Sequence, residues 1–496
     1  MANRKPNIVF VITDDQGYGD LGCTGNPVIN TPDIDRLHHE SLRFSDYHVG
    51  PTCAPTRAGL MTGHFHNSTG VWHTIGGRSL LRKNERTLAA VLRDHGYATG
   101  IFGKWHLGDN YPYRPHDRGF DEAIVHGGGG IGQTPDYWGN DYFDDTFFDK
   151  GTPRSFEGYC TDVFFRLGTD FIERHQDKPF FCYIPTNAPH QPLQVDEKYV
   201  TPYRERVEEN RARFYGMITN IDENVGRLRK KLDDLHLTEN TLFIFMTDNG
   251  TGDGCITDSR GVVTEGFNAG MRGKKGSPYE GGHRVPFFLH YPDGGYASGR
   301  TIDQLTANVD FMPTILDLCG IHEPCLDFDG KSLVPLMQGA ANDWTERALV
   351  TDSQRVPSPI KWKDSAVMKD SWRLINGTEL YHLKDDPGQT KDIADQNLAL
   401  VNALRQAYEQ WWEKVSVRFE EEIPISIGSE HEKVTCINAH DWRGDVGDCA
   451  WNQGDIRKGK LCNSYVEIDI SADGLYTFML RRWPFEVNTA IREGLP

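Results

Sequence analysis

Runs of consecutive apolar residues, bounded by turn-forming residues, dominate the first two thirds of the chain. "NIVFVIT" (7–13), "YATGIFG" (97–103), "PFFCYIP" (179–185), "TLFIFMT" (241–247) and "VPFFLHY" (285–291) are short, rich in β-branched and aromatic residues, and apolar at nearly every position. That is the pattern of strands buried on both faces of a helix-covered sheet. Amphipathic segments lie between them: "TPDIDRLHHESL", with Thr31 in cap position and Pro32 in the first turn, "TLAAVLRDHG", closed by Gly96, and a long polar helix over about 205–235. The alternation predicts an α/β domain over residues 1–345, a large, mostly parallel sheet flanked by helices, with functional loops beyond the carboxyl ends of the strands.

The texture then changes. "ALVTDS", "SAVMKD", "WRLING" and "TELYHL" are short strands followed by the helical "ALVNALRQAYEQWWEKV", which predicts a smaller C-terminal α+β subdomain of antiparallel strands and one helix over 346–418. Residues 419–464 are loop-rich, and "SYVEIDISADGLYTFMLRRWPFEV" (464–487) alternates apolar and polar positions around Ala-Asp-Gly. This predicts an appended tail over 419–496 ending in a β-hairpin, one face of which must be buried on the catalytic domain or on another subunit, with docking within the chain expected. Arg481 and Arg482 are expected to form surface ion pairs. The tail's role is expected to be structural.

Charge narrows the function. The chain has 496 residues, 71 acidic against 53 basic, a net charge of -18 and no basic run, which excludes nucleic acid as a partner and means that an anionic substrate must be held by a local cluster of cations. No apolar run approaches a membrane span, and the opening lacks a signal-peptide pattern. A soluble protein is expected, cytoplasmic as the sequence stands, or periplasmic or secreted if an export signal was removed. Ten scattered cysteines fit a mainly reduced protein, and the evenly spaced Cys436, Cys449 and Cys462 contain no C-x-x-C pair, so thiols or a disulfide are expected there before zinc.

Two of the apolar runs end alike. "VFVITDD" delivers Asp14 and Asp15, and "FIFMTDNG" delivers Asp248 and Asn249. If these strands are parallel neighbours, their carboxyl ends coincide and four oxygen-bearing side chains converge on a site for a hard cation. Taken singly, either pair reads equally well as loop or cap residues. "FGKWHLG" puts Lys104 and His106 two apart beyond a strand, so in an extended segment one can hold an anion while the other moves a proton. "IPTNAPHQPL" sets His190 in a proline-stiffened loop, and "MRGKKGSPYEGGHRVP" sets Lys274 and Lys275 in a glycine-rich one. "PTCAPTRAGLMTG" (51–63) reads two ways. Either it is a loop entering a helix, with Thr52 as cap and Pro55 near the start, or Cys53 carries the chemistry and Arg57, one turn on, stabilises its charge.

Other motifs fail on order. "HGGGG" (126–130) is followed by no Lys-Ser or Lys-Thr, His38, His39 and Glu40 are not in zinc-protease order, and "DFDG" (327–330) lacks the glutamate that closes a calcium loop. The aromatic "YWGNDYFDDTFF" reads as loop packing.

Taken together, "CAPTRAGLMTG", "GKWHLG", "TNAPH", "TDNG" and "KGSPYEGGHRVP", in this order behind "NIVFVITDD", resemble the type I, formylglycine-dependent sulfatases of the alkaline phosphatase superfamily, over roughly residues 7–420. Thr56 stands where many members have serine, and Lys274 where glycine is usual. The resemblance implies an alkaline phosphatase-like fold and hydrolysis of an aryl or carbohydrate sulfate monoester to alcohol and free sulfate. It implies a maturation enzyme that reads Cys-x-Pro-x-Arg and converts Cys53 to formylglycine, whose hydrated aldehyde can expel sulfate by breaking its own carbon–oxygen bond. It also implies that Asp14, Asp15, Asp248, Asn249 and the modified Cys53 hold a divalent cation, calcium first and magnesium as the alternative. Arg57 would stabilise the ionised diol, with Asp248 as base. Lys104, His190 and Lys275 would hold the sulfate, His190 or Lys275 would protonate the leaving alcohol, and His106 would take the proton from the second hydroxyl. A phosphate or phosphonate ester hydrolase with the same nucleophile is one alternative, and a non-catalytic binding protein with Cys53 unmodified is another. The lack of an extended basic surface favours a small sulfated molecule or a glycan terminus.

Overall fold

The computed structural model describes residues 5–340, 344, 346–444 and 449–494. Its centre is a ten-stranded sheet in the order Thr301–Ile302, Leu42–Phe44, Phe287–His290, Thr241–Thr247, Asn7–Thr13, Phe180–Pro185, Ala98–Lys104, Glu122–His126, Thr146–Asp149, Thr152–Ser155. The five strands from Thr241–Thr247 to Glu122–His126 are mutually parallel. Phe287–His290 and Thr146–Asp149 run against them, and the edge strand Thr152–Ser155 pairs antiparallel with Thr146–Asp149. The apolar runs are fully buried for the reason their pattern suggests. Ile8, Phe10 and Ile12 enter one core with Ala58, Val91 and Phe311, whereas Val9 and Val11 enter a second core with Phe164, Ile218 and Val225. Helices Cys160–His175 and Glu209–Asp234 cover the second face. Thr31 caps helix Pro32–Glu40 in position only. The amides of Asp33 and Ile34 donate to Asp222 of the long helix, which ties the two helices together.

Strands Leu349–Asp352, Ser365–Lys369, Trp372–Ile375 and Glu379–His382 form a separate antiparallel sheet packed by helix Leu398–Ser416. Arg373 fastens this sheet to the larger unit. Its guanidinium is buried between Asp46 at 2.8 Å and Glu280 at 2.7 Å. Replacing Arg373 with methionine leaves the buried Glu280 without its cation, opposite a half-buried Asp46 that keeps only His48, so the unfolding free energy should fall by about 3–5 kcal/mol. A urea titration that moves by less than about 1 kcal/mol would show that the pair is inert.

The tail departs from expectation. No hairpin forms over residues 464–487; Ile468–Ile470 instead pairs in parallel with Ile425–Ile427. Alternation there did not signal a buried face, since Leu475 is 99% and Leu480 85% exposed. The anchor is Trp483, 1% exposed, whose ring meets Trp138 edge-on at 5.5 Å. Among the described residues Arg481 and Arg482 make no carboxylate pairs; they lie over Phe485 and Trp483, because aromatic faces, and not acids, are what the fold brings to them. All ten cysteines are free thiols. No helix among the described residues is long and apolar enough to cross a membrane.

Candidate active site

Thr13 pairs with Thr247 in the parallel ladder, so the residues that follow each of them emerge side by side. Asp14, Asp15, Asp248 and Asn249 are all buried at this point. The Asp15 amide donates to Asp248 Oδ1 at 3.2 Å, and Asn249 Nδ2 donates to Asp15 Oδ1 at 3.0 Å. Asp15 holds φ 63°, left-handed backbone that costs a non-glycine residue on the order of 1–3 kcal/mol.

Helix Cys53–Thr62 brings its first residue to the same place. Cys53 Sγ and one oxygen each of Asp14 and Asp15 lie within 4.8 Å of one another. Thr52 occupies the cap position without a side-chain cap bond. Arg57, one turn on, is 1% exposed and is no surface charge: it donates to Lys104 O at 3.0 Å and to Asp248 Oδ2 at 2.8 Å. Lys104 Nζ pairs with Asp14, Lys275 Nζ donates to Asp15 Oδ2 at 2.6 Å, and His190 Nε2 lies 3.7 Å from Asp15 Oδ2. Lys274 points elsewhere, to Gly252 O at 3.4 Å.

His106 arrives by a different route from the one its spacing suggests. The backbone is not extended there but turns left-handed, φ 60°. His106 Nε2 donates to Thr74 O at 2.8 Å, which leaves Nδ1 buried without a partner. Gly129 lies flat against this ring, where an added Cβ would sit 2.2 Å from His106 Cε1. The glycine run that fails as a phosphate loop is therefore a wall of the site, touching His106 through Gly129 and His190 through Gly130. Neither Thr74 nor Gly129 carries a local signal of this role beyond the glycine run itself.

The cluster sets its own protonation. Burial, aided by the charge of Asp14, pushes Asp248 up to about 7 against the opposing pull of Arg57. Burial would also raise Asp15, but Lys275, His190 and Lys104 overcome it and hold the carboxyl well below the usual range. Burial pushes the Cys53 thiol up, although Lys104 and Lys275 oppose, so the unmodified side chain is a neutral thiol and a poor nucleophile. His190 is lowered to about 4 by burial, and burial also keeps His106 neutral.

Two buried oxygens, Asp14 Oδ1 and Asn249 Oδ1, have no hydrogen-bond partner among the described residues. An all-oxygen set with unsatisfied lone pairs at adjoining strand ends is what a hard divalent cation takes, so the residues fit a metal ion. In a second acid–histidine cluster, His48, Glu280 and His283, the two Nδ1 atoms lie 2.8 Å apart and Arg373 holds Glu280 Oε1, while Glu280 Oε2 has Arg284 only at 3.7 Å.

Residues 6–321 match the family model described as Sulfatase. The chain belongs to the sulfatase family. Residues 274–414 of this sulfatase also match the model for the N-sulphoglucosamine sulphohydrolase C-terminal region. The sulfatase is 33% identical to arylsulfatase A of Homo sapiens over 369 residues, 68% of each chain. It is 30% identical to human N-acetylgalactosamine-6-sulfatase over 375 residues, 69% of this chain and 68% of the relative. The crystal structure of Ps i-CgsB in complex with k-i-k-neocarrahexaose superposes with a TM-score of 0.72 at 26% identity, covering 84% of this sulfatase and 98% of that chain. The sulfatase is thus a sulfuric ester hydrolase with the alkaline phosphatase-like sheet expected of it, and sulfatases of its family work with a metal ion and a formylglycine. Residues beyond 414 lie outside both family models.

Proposed function

We propose that this sulfatase hydrolyses the sulfate monoester of a carbohydrate, at a site in which Cys53 becomes formylglycine and Asp14, Asp15, Asp248 and Asn249 hold calcium. The observation that carries the reading is Cys53 at a helix start, within 4.8 Å of the carboxylates of Asp14 and Asp15, with Arg57, Lys104 and Lys275 around it. When bound, the divalent cation would withdraw charge from a sulfate oxygen, and a hydrated formylglycine would supply the attacking hydroxyl and a second hydroxyl whose deprotonation releases sulfate.

The remaining work falls to the chain's own side chains. Arg57, fixed by Lys104 O and Asp248, offers a guanidinium one helical turn from residue 53 to hold negative charge there. Asp248, hydrogen-bonded to Arg57 beside residue 53, would accept a proton from the attacking hydroxyl. His106, with Nε2–H committed to Thr74, offers Nδ1 as the base for the second hydroxyl. Lys104 and Lys275 supply the cations that a chain of net charge -18 needs in order to gather an anion. His190 donates through Nδ1 to Gln191 O at 2.7 Å, so its neutral ring turns a bare Nε2 to the site as an acceptor, and the ammonium of Lys275 beside it is the group that would protonate the leaving alcohol.

The sugar-bound relative at 26% identity and the N-acetylgalactosamine-6-sulfatases at 30% support a sulfated glycan as substrate. On matched 4-nitrophenyl esters, kcat/KM for the sulfate should exceed that for the phosphate; the reverse order would make the chain a phosphoester hydrolase. A panel of sulfated mono- and disaccharides beside the aryl sulfate identifies the alcohol portion.

A further inference from the structure

The segment outside both family models does more than hold itself to the surface. Its short helical turn Ala439–Asp441 is fastened to the loop that carries Thr74. Gly76 N and Gly77 N donate to His440 O at 2.8 and 3.3 Å, and a Cβ on Gly77 would meet Asp441 O at 2.7 Å. It is also fastened to the loop that follows the glycine wall. His440 N donates to Thr134 Oγ1 at 3.2 Å, Thr134 N to Trp451 O at 3.0 Å, and Gln453 N to Gly132 O at 2.9 Å. These two loops flank His106, and the tail bridges them.

The bridge delivers one side chain to the site. The His440 ring lies 6.0 Å, centroid to centroid, from that of His106. His440 is 1% exposed, yet among the described residues neither of its ring nitrogens has a hydrogen-bond partner, Asp441 Oδ1 lying 3.9 Å from Nδ1. His73, 4% exposed on the loop below, accepts from Thr74 N and Ile75 N through Nδ1 and is left with Nε2 unpartnered. Buried polar nitrogens of native proteins find partners. Three unmatched ones beside a hydrolytic centre form a wall of donors and acceptors suited to the hydroxyl or amide groups of a pyranose ring.

We propose that His440 is a specificity-determining residue of this sulfatase, its imidazole and the Nε2–H of His73 hydrogen-bonding the sugar that bears the scissile sulfate. The inference rests on the carbohydrate reading above. Because His440 comes from outside the family models, it belongs to this chain's choice of alcohol and not to the shared sulfate chemistry.

The test is competition against hydrolysis of 4-nitrophenyl sulfate, with inorganic sulfate as a probe of the core alone and a panel of monosulfated monosaccharides, among them N-acetylgalactosamine 6-sulfate and galactose 4-sulfate, as probes of core and wall together. In the native enzyme the best saccharide should inhibit more tightly than inorganic sulfate. His440→Ala should raise that saccharide's Ki by about tenfold or more, while the Ki of inorganic sulfate moves by less than about threefold, and His440→Gln, which keeps an amide donor and acceptor and guards against misfolding of the alanine variant, should recover part of the difference. Equal shifts for both probes, or no saccharide that outcompetes inorganic sulfate, overturn the proposal while leaving the sulfatase chemistry intact. Failure of the native enzyme to turn over 4-nitrophenyl sulfate would instead remove the catalytic reading on which it rests.

Discussion

Cys53→Ala should lower kcat/KM on an aryl sulfate by about ten-thousandfold or more, as loss of a covalent nucleophile does elsewhere. The fold should survive, because the side chain contributes little packing at a helix start whose neighbours Ala54, Pro55 and Thr56 are themselves buried. No other side chain in the cluster can take its place: Asp14 and Asp15 are tied to Lys104 and Lys275, Asp248 to Arg57, and His106 faces the site only with a neutral nitrogen. Mass spectrometry of the peptide spanning residues 51–57 of native protein supplies the companion measurement and should find Cys53 converted. Activity within tenfold of native in the alanine variant would place the nucleophile elsewhere.

Loss of the metal should be nearly as severe. Asp14 is fully buried, one oxygen on Lys104 and the other without a partner, so it is committed to charge on both sides. Asp14→Asn should keep the volume, reduce bound divalent metal to background and lower kcat by at least about a hundredfold. The alanine change would also strand Lys104 as an unpaired buried cation, costing about 3–5 kcal/mol of stability, which makes asparagine the cleaner probe. In native protein, chelation should abolish turnover, and calcium or magnesium should restore it. Restoration by zinc alone, or full metal content in Asp14→Asn, would contradict an oxygen site built on the two strand ends.

Much of this site was legible because Asp14, Asp15, Asp248 and Asn249 sit where two strands stop. A buried parallel strand has a readable signature, and identical endings, Thr-Asp-Asp and Thr-Asp-Asn, are enough to predict convergence once Thr13 and Thr247 are taken as partners. The antiparallel four-strand sheet was legible for the related reason that its strands and turns are consecutive in the chain. What could not be read is non-local. The pairing of Ile468–Ile470 with Ile425–Ile427 joins segments some forty residues apart with no turn between them, and alternation alone suggested a hairpin. The placement of Lys104 and His106 came from a left-handed turn at His106 and not from extended geometry. Thr74 meets His106 through a backbone carbonyl, Gly129 through the absence of a side chain and His440 from a distant segment, and none of these leaves a mark in a local window of residues.

The burial of Cys53 sets a timetable. Residues 53–57 are packed inside the finished molecule, Cys53 only 2% exposed, beneath strands that span from residue 7 to residue 290 of the chain. Any catalyst that reads Cys-x-Pro-x-Arg must therefore meet this segment while it is still extended. The strand Thr241–Thr247, which closes the carboxylate cluster over it, is not made until nearly two hundred residues later. At about 5–20 residues per second, synthesis leaves an interval of roughly ten to forty seconds in which the segment is out and the sheet cannot yet form. If Cys53 is the residue converted, the chain is open to that change in youth and sealed in maturity, and protein that folds first would be a permanent blank rather than a precursor.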